Sequence, residues 1–364
     1  MKRGPEMDMI HSQVGNAVPH AQTTMRAVQL QQYGGPEVLL PVHVPVPVPQ
    51  AGEVLIRVRV AAVNPSDLNL RAGRHTVQRH GLSHHPASRA SQLPITLGME
   101  VCGDVVALGE QVPEEWLGRR VAAIPMVGGY AEYVVCPLQR VFFPPAAITD
   151  QQAAASAIAF LSAYYMLHDR VALQPGETVL ITAASGTTGN FLVQLAQHKG
   201  AHVLAVASRP EKARWLQEIG LPTRDIVYRD SEDVMAAVWA RTNDTGVDVL
   251  LDGIGGLSLA KSIPVVKPEG RIVLYGNLAG VPATLDATRL IAAHQILSGF
   301  SLYTYLSKAD DVGRNLQILW DALLQQPPQL YVPTGQWFPL EEAARAHLAM
   351  QERRSTGKTL LRVS

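Results

Sequence analysis

TVLITAASGTTGNFLVQLAQ, residues 178–197, decides how this chain is read. It opens as an apolar strand, breaks into a turn of small residues, and continues with apolar residues at helical spacing. Ala184, Gly186 and Gly189 stand where such a strand–turn–helix unit needs bare backbone. Gly186 lets a ligand approach the main chain, and Gly189 lets the helix pack closely on its strand. The helix start, at Thr187 and Thr188, presents free amides and a positive dipole end, which suit a pyrophosphate. The pattern is that of a dinucleotide-binding unit.

Downstream the alternation of strand and helix continues. HVLAVAS is a second strand and PEKARWLQEIG a second helix; DIVY, VDVLLDGIG and RIVLYGN supply further strands. The pattern predicts α/β architecture with a doubly wound parallel sheet. An acid commonly ends the second strand when the ribose hydroxyls are bound. Here Ser208 and Arg209 follow it, with Lys212 one turn on. A hydroxyl and two cations suit an additional phosphate, so the expected cofactor is NADPH. Gly253 and Ile254, in DGIGG, and Tyr275, Gly276 and Asn277, in YGN, follow apolar strands at their carboxyl ends. They are candidate cofactor contacts.

Upstream, residues 25–148 are β-rich, with short runs broken by glycine and proline. PVHVPVPVPQ reads as an extended edge, because proline has no amide for a central ladder. The divisions expected are a flexible tail over 1–24, one domain from 25–148 and 297–364, and a nucleotide domain over 149–296 inserted in it. The chain has 364 residues, with 31 Lys+Arg against 31 Asp+Glu, so no basic surplus suggests nucleic acid or a membrane surface. No apolar run is long enough to span a bilayer. Two cysteines suit a reducing, cytoplasmic compartment and exclude a four-cysteine structural zinc site.

NPSD (64–67), GMEVCGDVVALG (98–109), GGYAEYVV (128–135), AASGTTG (183–189) and the closing GKTLLRV (357–363) occur in one order. With them the chain resembles the medium-chain dehydrogenase/reductase superfamily from Met25 onward. The resemblance implies a GroES-like catalytic domain around an inserted Rossmann domain, a cofactor in the cleft between them, and a homodimer. It also implies the zinc-free branch. Zinc-dependent relatives carry a cysteine at or near the position of Asn64 and a histidine before the acid matching Glu100, where this chain has Met99. No metal ligands are therefore expected. Two zinc-free subfamilies compete: quinone oxidoreductases (GGYAEY, YGN, Tyr228 in DIVYRD) and enoyl-thioester reductases (NPSDLNLRAG, GIGGLSLAKSI). In the first, the matching tyrosine lies by the adenosine phosphate. The turn departs from both, with Thr187 and Thr188 where glycine and valine are common.

The resemblance places Asn64 near the nicotinamide ribose and Lys358 near the cofactor cleft, and lets Asp67 hold the loop. NPSD by itself is also an ordinary side-chain-closed turn. Enoyl-thioester reductases usually carry a tyrosine two residues after the glycine matching Gly73; here that residue is His75. His75 is either a substituted proton donor or a solvated loop histidine. The loop TVQRHGLSHHPASRASQ (76–92) holds His80, His84 and His85, but no nearby acid or cysteine. With Arg71, Arg74, Arg79 and Arg89 it could rim a substrate cleft. The expected activity is NADPH-dependent, zinc-free hydride transfer to a quinone, enone or 2-enoyl thioester. The alternative is an NADPH-binding scaffold or sensor with little or no turnover.

Overall fold

The computed structural model describes residues 23–74, 93–306, 309–355 and 357–364. Six parallel strands, Thr178–Ile181, His202–Ala207, Ile226–Tyr228, Val247–Asp252, Val266–Leu274 and Ile296–Gly299, form one sheet. Counted along this sheet, their order is 3-2-1-4-5-6. The strands read as continuous apolar runs because both faces are covered. Val179, Ile181, Val249 and Leu251 enter one core, and Leu180, Leu204, Leu250 and Ile272 the other. Strand order reverses between Thr178–Ile181 and Val247–Asp252, which opens a crevice at their carboxyl ends.

A second, mostly antiparallel sheet of seven strands centres on Glu53–Ala62, which pairs with Glu100–Leu108, Tyr133–Pro137 and Lys358–Arg362. The last strand of the chain is thus locked to one of the first. A three-stranded sheet has Leu39–Pro45 at its edge, as the proline-rich run requires.

Helix Asp150–Tyr165 connects the two large sheets. Its start is a capping box: the Gln152 amide donates to Thr149 Oγ1 at 3.1 Å, and the Thr149 amide to Gln152 Oε1 at 3.0 Å. The expected single helix over PEKARWLQEIG is instead a 3-10 turn, Pro210–Lys212, and a short helix, Arg214–Glu218. Gly220 ends the segment at φ 82°. Among the described residues no helix is long and apolar enough to cross a membrane.

Candidate active site

The strand–turn–helix unit takes the expected form. Helix Thr187–His198 begins after Gly186, and the Gly186 amide donates to the Ala183 carbonyl at 3.0 Å. A Cβ on Gly189 would lie 2.4 Å from the Ala183 oxygen and 2.6 Å from Ala184 Cα, so only glycine allows the helix this close to its strand. A Cβ on Gly186 would meet only the Ala183 oxygen, at 3.3 Å. The leading turn, with Thr187 and Thr188, leaves its amides directed outward.

Ser208 and Arg209 follow the second strand, and Tyr228 ends the third beside it, in register with Ala207. A cavity of about 330 Å³ lies there, lined by Arg209, Glu211, Lys212 and Arg354. Lys212 donates to the Ser355 carbonyl across the gap. Burial and the neighbouring Arg209 lower the Lys212 pKa. The excess of cations over the single acid suits a phosphate dianion. Arg354 escaped the sequence reading, because two arginines in QERRS resemble any helix end.

At the next two strand ends, the loops interlock. Asp252, fully buried, accepts from the Gly255 amide at 2.6 Å, Thr182 Oγ1 at 2.9 Å and the Ile254 amide at 3.0 Å. The Tyr275 ring lies against Gly253, where a Cβ would come within 2.8 Å, and its hydroxyl donates inward to the Thr182 carbonyl at 3.0 Å. Gly276 backs onto the Gly253 carbonyl, and Asn277 is exposed beside Gly255. Tyr275 therefore shapes the rim through its ring, with its hydroxyl engaged by the protein.

Across the crevice, Asn64 precedes helix Pro65–Arg71. Lys358 Nζ donates to Asn64 Oδ1 at 2.6 Å and to Glu100 Oε2 at 2.8 Å, while Glu100 Oε1 accepts from the Ile158 amide at 2.9 Å. Glu100 is 0% exposed and Lys358 3%. This ion pair joins residues 258 apart in sequence.

A second buried line starts at Asp67, which accepts from the Asn64 amide at 2.9 Å, the Gly98 amide at 3.2 Å and the Tyr130 hydroxyl at 3.2 Å. The Tyr130 oxygen lies 3.0 Å from His347 Nε2, and Arg71 donates to His347 Nδ1 at 3.4 Å. Because Arg71 can only donate, Nδ1 must accept, so Nε2 carries the proton and donates to Tyr130. Burial raises Asp67 to about 6. Burial, aided by the Arg71 charge, lowers His347 to about 3, so the imidazole is neutral.

These two groups act oppositely on stability. The Asp67 contribution is present below the unfolded carboxylate pKa and is lost as pH rises through about 6. The His347 contribution is present above the unfolded histidine pKa and is lost as pH falls toward about 3. Urea unfolding of His347→Gln at pH 7 and pH 5 should show the variant gaining about 2 kcal/mol relative to wild type on acidification. Parallel pH dependence would contradict a neutral buried imidazole.

His75, His80, His84 and His85 lie outside the described residues, as does the tail over 1–22. Among the described residues no three His, Cys, Asp or Glu side chains converge as a metal site would require. Both cysteines are free and buried.

Residues 50–146 match the family model for an alcohol dehydrogenase GroES-like domain, and residues 187–318 that for a zinc-binding dehydrogenase. The chain is 32% identical to a quinone oxidoreductase of Pseudomonas aeruginosa, over 92% of this chain and 99% of that one. It is 29% identical to a 2-haloacrylate reductase of a Burkholderia species, over 92% and 98% of the two chains. Its fold superposes on the quinone oxidoreductase of Escherichia coli solved with NADPH, with a TM-score of 0.83, 25% identity, and 93% and 100% of the chains covered.

Proposed function

The chain belongs to the medium-chain dehydrogenase/reductase superfamily, and on that premise we propose that it is an NADPH-dependent reductase of quinones or of C=C bonds conjugated to a carbonyl. The observation that carries the cofactor choice is the cavity beyond the second strand, where Arg209, Lys212 and Arg354 outnumber the one acid, Glu211, and Ser208 takes the strand-end position. Arg209, Lys212 and Arg354 hold the additional phosphate, with Ser208 and Tyr228 at its edge. Gly186, Thr187, Thr188 and Gly189 cradle the pyrophosphate. Gly253, Ile254, Gly276 and Asn277, with the Tyr275 ring, form the rim above it. NADPH, when bound, supplies the hydride; the protein supplies placement and polarity.

Asn64 contacts the nicotinamide end, and Lys358 acts chiefly by fixing Asn64 and balancing Glu100. Zinc is not needed in this reading. The Lys358 ammonium occupies the Glu100 and Asn64 oxygens and has no lone pair to give, and Met99 offers only a thioether. That donor set does not fit a zinc ion, despite the description attached to the matching family model.

A homodimer fits the edge strand Ile296–Gly299, which among the described residues pairs on one side only. Ile296 is 60% exposed there, and Ile291 76% close by. The two buried free thiols suit a reducing, cytoplasmic setting.

Loss of NADPH absorbance with 1,4-benzoquinone, a simple enone and crotonyl-CoA tests the reading. Turnover of at least one acceptor supports it. Tight NADPH binding without consumption would replace it with a cofactor-binding protein.

A further inference from the structure

We infer that His347 is a positioning residue for Asn64: acting through Tyr130 and Asp67, it fixes the main chain from which Asn64 meets the nicotinamide end of the cofactor. The inference rests on the reductase reading above. Asn64 is held at two points. Its side-chain oxygen accepts from Lys358, at 2.6 Å, and an ammonium can only donate, so Oδ1 must face it. Its main-chain amide donates to Asp67 Oδ2 at 2.9 Å. Asp67 Oδ2 also accepts from the Tyr130 hydroxyl, and Oδ1 from the Gly98 amide, each at 3.2 Å. One buried carboxylate therefore joins Asn64 to the segment that leads into Glu100.

The Tyr130 hydroxyl has one proton and two neighbours that could take it. His347 Nε2 lies 3.0 Å from its oxygen, closer than Asp67 Oδ2. An unprotonated Nε2 would compete with Asp67 for that proton. Burial keeps the imidazole neutral, so the ring has a single proton to place. Arg71 donates to Nδ1, at 3.4 Å, which puts the ring proton on Nε2. Nε2 then donates to Tyr130, and the Tyr130 proton goes to Asp67. Arg71, Asp67, Tyr130 and His347 are each at most 2% exposed, so water does not compete along this line.

His347 also bridges two residues of one short helix, Pro65–Arg71. It reaches Asp67, in the first turn, through Tyr130, and it meets Arg71, the last residue, directly. Arg71 donates further to Gln351 Oε1 at 2.7 Å and to the Gly34 carbonyl at 3.2 Å. Helix Ala343–Gln351 thus grips the helix that Asn64 precedes at both of its ends. Tyr130 is confined between them. A Cβ on Gly98 would come within 2.6 Å of its Cδ1, and its ring stands edge-on to His347 with centroids 5.7 Å apart.

His347→Leu removes the donor, whereas His347→Gln keeps an N–H near the Nε2 position. With leucine, NADPH affinity, and kcat with an accepted enone or quinone, should each fall about tenfold. Adenosine 2′,5′-bisphosphate has no nicotinamide end and should bind the leucine variant as it binds wild type. The glutamine variant should stay within about threefold of wild type in all these measurements. Tyr130→Phe keeps the ring and cuts the same line. It should match the leucine variant, and it carries the test where leucine at position 347 does not fold. Equal loss of NADPH and bisphosphate affinity, no loss of either, or a glutamine variant as weak as the leucine one overturns the assignment. If wild type binds NADPH but reduces no acceptor, the reductase reading fails, and the two binding titrations still decide His347. If wild type binds neither nucleotide, hydrogen exchange at the Asn64 amide decides it. Exchange about tenfold faster with leucine or with Tyr130→Phe, but not with glutamine, supports the positioning role, and equal exchange in all of them overturns it.

Discussion

Lys358→Met should destabilise the fold by about 3–5 kcal/mol, the expected effect of breaking a buried ion pair from one side. The Glu100 carboxylate, 0% exposed, would keep only the Ile158 amide on one oxygen, and Asn64 Oδ1 would lose its donor. Methionine fills much of the volume, so the loss reads the charge more than a cavity. The paired replacement Glu100→Leu with Lys358→Met removes both charges and should recover a large part of the loss, a non-additive result. Urea unfolding of the single and paired variants measures this. A single variant within about 1 kcal/mol of wild type would contradict a desolvated, mutually dependent pair. Because Asn64 hangs on the same ammonium, the paired variant should fold and still bind NADPH more weakly than wild type.

Replacing Arg209 and Lys212 together with alanine should weaken NADPH by roughly 100-fold and leave NADH almost unaffected. Each charge-assisted contact to a phosphate contributes about 1.5–3 kcal/mol, and each 1.4 kcal/mol is tenfold in affinity. Arg354→Ala approaches the same cavity from the opposite segment of the chain and should discriminate in the same direction. Fluorescence titration with both nucleotides at fixed ionic strength checks this. Equal weakening of NADPH and NADH would mean that the cluster supports the fold and does not read the phosphate. Added salt should weaken NADPH more than NADH in wild type, and less so in the variants.

The parallel sheet was legible because its signals are local. TVLITAASGTTG carries its strand, its turn and its helix start within twelve residues, and the following strands are apolar runs ended by glycine. That Arg209 and Lys212 follow the second strand was legible for the same reason, and the two cations line one cavity. The rest of the site is assembled at long range. Lys358 meets Glu100, and Arg71 meets His347, across 258 and 276 residues. No periodicity in AARAHLAM marks His347 as part of a buried line, since a histidine on a helix is ordinary. The segment PEKARWLQEIG starts as a 3-10 turn at Pro210–Lys212 and is α-helical only over Arg214–Glu218, a difference that its apolar spacing does not reveal.

Hydride transfer is the central claim, and a single-turnover experiment tests it most directly. Protein treated with a strong chelator is mixed with NADPH deuterated at the transferred position and with an accepted enone, or with 1,4-benzoquinone if no enone is accepted. With an enone, the account predicts NADPH loss unchanged by chelation and deuterium at the product's β-carbon by mass spectrometry. With the quinone, it predicts chelator-insensitive loss of NADPH and stoichiometric hydroquinone. Activity abolished by the chelator and restored by zinc, or bound NADPH that is never oxidised, would contradict it.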